Sequence, residues 1–86
     1  MIEYTLDTAH SILYVRPKSS LEEGDFVQLA KTVDPYIEKR GDLAGLIIET
    51  PTFPGWKSLG AMVTHFRFIR DHHKHIKKTR IIFLTR

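Results

Sequence analysis

Four histidines and one serine are the residues of this chain whose types invite chemistry. His65, His72, His73 and His75 fall in one short basic segment, and Ser58 stands seven positions before His65. Grouped imidazoles can ligate a metal or carry protons, and a serine in reach of a histidine can be a nucleophile. The spacing argues against each of these. His65 and His72 are seven apart, about two helical turns, too far to share one ion. His72 and His75 are better placed, but Asp71 is the single acid nearby and there is no cysteine to complete a ligand set. Ser58 and His65 on one helix would stand roughly 10 Å apart along its axis, beyond a direct hydrogen bond. The chain also has no Gly-x-Ser-x-Gly elbow and no phosphate-binding glycine loop. The expectation is a protein that is not an enzyme, with no catalytic residues, no metal and no cofactor.

The second candidate is the run "TPTFPGWKSLG", residues 50–60, where two prolines and two glycines surround Phe53 and the only tryptophan, Trp56. An apolar strand pattern precedes it and a helical pattern follows. It should therefore lie beyond the carboxyl end of a strand and beside a helix N-terminus, where open α/β sheets bind ligands. Free N–H groups near Lys57–Gly60, the helix dipole and Lys57 itself would suit an anion. Thr50, Thr52 and Ser58 add hydroxyls. Phe53 and Trp56 equally suit a staple that locks the turn against the core, and a locked turn makes a rigid pocket wall. Ser58 is also a natural helix cap. The candidate ligand- or partner-binding residues are thus Thr50, Phe53, Trp56, Lys57, Ser58 and His65.

The elements that must position these residues follow from periodicity. Residues 2–6 alternate as a half-buried strand, and "SILYVR", 11–16, suits a central strand covered on both faces; the polar link 7–10 makes the two a hairpin. Ser20 and Glu23 have capping-box spacing ahead of a helix whose Phe26, Leu29, Ala30, Val33 and Ile37 form the apolar stripe. Pro35 should kink its last turns and Gly41 should end it. "LAGLIIET", 43–50, is the next buried strand. Helical spacing restarts near Trp56, with Leu59, Met62, Val63, Phe66, Ile69 and Ile76 expected to face the core. Ala61, His65, Phe68, His72 and His75 make a further line, and Lys57, Arg67, Arg70, Lys74 and Lys77 a basic one. "RIIFLT", 80–85, is a last strand run. The order β-β-α-β-α-β predicts a mixed, mainly parallel α/β sheet in a single domain, 1–86.

Composition fits one small soluble domain: 86 residues, 42% hydrophobic and 27% charged. Residues 1–64 carry six Lys/Arg against nine Asp/Glu, and residues 65–86 carry seven against one. The basic end could meet the acidic helix of a second copy, so a homodimer is expected. The chain carries no DNA-reading motif, and nucleic acid is not expected as a partner. No apolar run approaches a membrane span, the N-terminus lacks a signal pattern, and the absence of cysteine fits the cytoplasm.

"FPGWKSLGAMVTHFRFIRDHHKHIKKTRIIFLT" resembles the signature of the SpoIIAA-like, or STAS-like, family of small bacterial proteins, in which a strand leads into an F-x-G-W turn, a helix, a basic D-H-H stretch and a buried strand. "MIEYTLD", "ILYVRP" and "LEEGDFVQLAKTVDPYIEK" fit its N-terminal half. The resemblance spans essentially the whole chain, with the C-terminal part of the usual domain absent. It implies a β-α superhelix and a binding or regulatory module that docks a protein or a small ligand at the 50–60 turn and the following helix. Distant relatives, the anti-anti-sigma factors, carry a phosphorylated serine near the position of Ser58, in a D-S-x-G context; here Lys57 precedes Ser58 and the aspartate is missing. Other structural relatives are lipid carriers of the CRAL-TRIO type. They imply the alternative, a carrier of a lipid or other apolar molecule held against the sheet.

Overall fold

A computed structural model of the protein describes residues 1–83. The expected strand 80–85 therefore runs partly outside the described residues. Four strands and two helices follow one another in the order read from the sequence: β1 Ile2–Asp7, β2 Ile12–Pro17, α1 Glu23–Arg40, β3 Gly45–Thr50, α2 Leu59–His72 and β4 Thr79–Phe83, with one 3-10 turn at His73–His75. The sheet order is β1-β2-β3-β4. β1 pairs antiparallel with β2, while β2–β3 and β3–β4 are parallel. This is a mixed, mainly parallel α/β sheet.

Each crossover steps the chain one strand over in the same direction. With the usual right-handed sense, both helices then fall on one face of the sheet. They do lie together, with the Phe26 ring of α1 centred 5.9 Å from Phe68 of α2. The registers set which side chains point toward them: Leu13 pairs with Leu46, and Val15 and Ile48 pair in turn with each other and with Ile81. The other face carries Tyr14, Ile47 and Ile82, together with two ion pairs, Arg16–Glu49 and Lys18–Glu3. β2 and β3 are thus central in the sheet, but only one of their faces is covered. Four apolar residues in a row look alike whether a strand has one packed face or two, because half-buried strands also tolerate isoleucine and tyrosine outside.

The core lies over β1, β2 and the near half of β3, where Leu13, Val15, Leu29, Val33 and Leu43 are buried together. α1 supplies Phe26, Leu29 and Val33 to it, as its periodicity predicts. The helix is capped at Glu22, not at Ser20; Asp25 accepts the Glu22 backbone N–H at 2.9 Å and also meets the N-terminal ammonium. Pro35 sits on the exposed side, so the carbonyl that loses its donor faces water and the helix runs on to Arg40. Gly41 closes it at φ 86, its N–H bonded to Ile37 O.

Candidate functional site

Residues 51–58 form the link between β3 and α2, as the prolines predict. The link is stitched to the segment before α1. Leu21 N–H donates to Gly55 O at 2.8 Å, and Lys57 N–H donates to Leu21 O at 2.9 Å. Gly55 takes φ 77, a left-handed conformation open to glycine at little cost. Thr50 is buried and its hydroxyl donates to Thr52 O inside the turn. α2 starts at Leu59, later than Trp56, because Ser58 caps it: Ser58 Oγ accepts the Ala61 N–H at 3.1 Å.

The anion expected at this helix start is already supplied by the chain. Lys57 Nζ meets Glu22 at 2.7 Å, and that carboxylate holds the ammonium above its usual pKa. The Glu23 carboxylate lies over Gly60, so close that a Cβ there would collide with it. Two acids from the start of α1 therefore cover the positive end of α2, and Lys57 and Ser58 are engaged within the protein.

Trp56 explains the turn. Its indole N–H donates to His65 Nδ1 at 3.0 Å, and its ring stands edge-on to Phe53 at 5.0 Å and to Phe66 at 5.7 Å. His65 in turn stacks on Phe26 at 4.8 Å. The indole nitrogen can only donate, so Nδ1 of His65 holds a lone pair and its proton sits on Nε2. Burial lowers the pKa of His65, which agrees with a neutral ring. The aromatic chain Phe53–Trp56–His65–Phe26 thus ties the turn to both helices.

α2 corrects the sequence reading of its faces. Its inner side is Ala61, His65, Phe68 and His72; the stripe expected to face the core is largely outside, with Leu59 72% and Phe66 52% exposed, and Val63 and Ile69 exposed as well. The reason is that the histidines find partners. His72 Nε2 lies 2.6 Å from Asp34 and its Nδ1 2.8 Å from Phe68 O, while Phe68 stacks on its ring at 4.0 Å. His75 meets Asp42 at 2.9 Å. These imidazoles face carboxylates and aromatic rings, not the lysines beside them in sequence.

Between this helix layer and the sheet lies a cleft of about 410 Å³. That is within the range of small-molecule sites, roughly 300–1,000 Å³. Its floor runs across the inner face of the sheet, from Ile2, Leu13 and Val15 to Ile48, Thr50, Ile81 and Phe83, and its roof is Phe68 and Ile69 of α2 with Phe26 and Leu29 of α1. Phe53 and His65 stand at the turn end. Of the sequence-predicted residues, Thr50, Phe53 and His65 line the cleft; Trp56 supports it from behind through His65; Lys57 and Ser58 lie outside its lining. The walls Ile48, Phe68 and Ile81 were missed. The alternation along β3 and β4 was the signal available, since every second residue from Leu46 and from Thr79 shares this face.

Compared with known proteins, the chain matches no family model, no curated protein and no solved structure. Among the described residues no helix is long and apolar enough to cross a membrane.

Proposed function

We propose that this chain is a non-enzymatic binding module whose ligand is a small apolar molecule lodged between α2 and the sheet. The 50–60 turn is the lip of the site and the start of α2 its frame. One observation carries this reading: the cleft is walled almost wholly by carbon, yet Ile69, Ile81 and Phe83 around it remain exposed. An 86-residue domain has little apolar surface to spare, so leaving these residues uncovered favours an occupant. Two polar side chains of the lining support a binding role over a chemical one, because the Thr50 hydroxyl and both nitrogens of His72 are bonded within the protein.

The STAS-like kinship belongs to the same proposal and rests on the element order and on the Phe53–Trp56 turn joining β3 to α2. So does a cytoplasmic location, inferred from the cysteine-free composition. Association of two copies is the second reading, favoured by β4: it lies at the sheet edge with all five residues exposed, a template for pairing with another strand. Native mass spectrometry of freshly purified protein tests both readings. An apolar adduct that leaves on mild activation is the expected result. A clean dimer without adduct would favour the second reading, and a clean monomer that takes up no added apolar compound would overturn both.

A further inference from the structure

We propose that the free edge of β4 takes an acidic, partly apolar strand from another protein, added to the sheet as a fifth strand. This stands apart from the cleft reading and competes with the pairing of two copies. β4 is the last strand in the sheet order. Lys78 O accepts the Leu46 N–H at 2.9 Å, so by alternation the N–H groups of Thr79, Ile81 and Phe83 point away from β3. Such a row pairs with an incoming extended chain, and the side chains beside it select the sequence. On the helix face these are Ile81 and Phe83, both exposed at the border of the cleft. On the other face, next to Ile47, stands Arg80, and Lys77 and Lys78 lead into the strand. These three cations are exposed, and none meets an acid among the described residues. The acids of the neighbouring elements are engaged: Asp42 bonds His75, Glu49 pairs with Arg16 and Asp71 with Arg70. The edge thus joins uncompensated positive charge at its start to apolar surface at its end. Two β4 strands side by side would put Lys78 and Arg80 of both copies on one seam, and Thr79–Phe83 holds no acid to separate them. Lysines keep like edges apart in this way. A strand with glutamates opposite Arg80 and Lys78, and apolar residues opposite Ile81 and Phe83, satisfies both ends.

Amide NMR during titration with the peptide acetyl-Leu-Thr-Val-Glu-Val-Glu-amide tests this, with a control peptide that carries lysine in place of both glutamates. Laid antiparallel, the first peptide meets Phe83 to Lys78 in order. It is expected to bind at least about tenfold more tightly than the control, to shift the amides of Thr79, Ile81 and Phe83, and to lose its advantage as salt rises. Ile81→Pro removes an N–H that makes no bond to β3, and proline is tolerated at a sheet edge. It should weaken the glutamate peptide at least about tenfold. Should Ile81→Pro not fold, Arg80→Glu decides, and it is expected to erase most of the preference for glutamate. Equal binding of the two peptides, no binding of either, or shifts that avoid β4 would overturn the proposal. So would full binding to Ile81→Pro or an unchanged preference in Arg80→Glu. Wild-type Thr79–Phe83 amides that shift on dilution, before any peptide is added, overturn it too, with a second copy as the occupant. The neutral dye N-phenyl-1-naphthylamine reads the cleft by itself, so failure of the peptide and failure of the cleft reading are told apart.

Discussion

Leu43 and Phe66 are both large apolar side chains, and the molecule treats them oppositely. Leu43 shows none of its surface, whereas Phe66 shows about half, at 52%. The contrast holds for the regions around them. Over β1, β2 and α1 the side chains of Leu13, Leu29, Val33 and Leu43 are buried together, the first three also bordering the cleft. Over β3 and β4 the helix is held mainly along its histidine line, and the space beside it stays open. The first region closes on itself by packing. The second is held by directed contacts that keep two layers apart, which is how a small domain can be stable and still keep a cleft.

Truncations should separate the two regions, and the largest effect belongs to the closed one. Leu43→Ala is expected to cost about 2–5 kcal/mol in urea unfolding, since no surface rearrangement can fill the void. A loss well under that would mean the core is looser than drawn. His72→Ala should come next, at about 1–3 kcal/mol, because it unties Asp34 and removes the stack on Phe68. Ile81→Ser, on the floor of the cleft and 53% exposed, should cost under about 1 kcal/mol in stability while abolishing dye binding. Leu59→Gln should be the mildest, within about 0.5 kcal/mol of wild type, since Leu59 points outward.

Acid sharpens the same comparison without a mutation. Protonating His65 would set an N–H against the Trp56 N–H and break their bond. Burial places the folded pKa of His65 below its ordinary 6.5, so the unfolded chain binds this proton more readily. The stabilisation is fully present above 6.5 and is lost as pH falls through the lowered folded value. Trp56 emission should report a transition below the ordinary histidine range that is missing in His65→Phe. A transition centred above 6.5 would contradict the assigned tautomer.

The closed region was legible because its signals are local. Phe26, Leu29 and Val33 recur at helical spacing, and Gly41 stands where the helix must end. The open region was misread where the deciding contact is distant. Hydropathy counts His72 as polar, and only Asp34, 38 positions away, makes it an inside residue. The acids that cover the start of α2 lie far back as well, at Glu22 and Glu23. The turn itself was read correctly as a corner between strand and helix, and Ser58 as a cap, because prolines and capping serines act on their own neighbours.

The central claim is that the apolar space under α2, and not the bare face of the sheet, holds the ligand. Isoleucine methyl NMR during titration with N-phenyl-1-naphthylamine tests it, because the two faces carry different isoleucines. The account predicts saturable shifts at Ile48, Ile69, Ile76 and Ile81, with Ile12, Ile47 and Ile82 unmoved. Shifts confined to the latter three, or none that saturate, would contradict it.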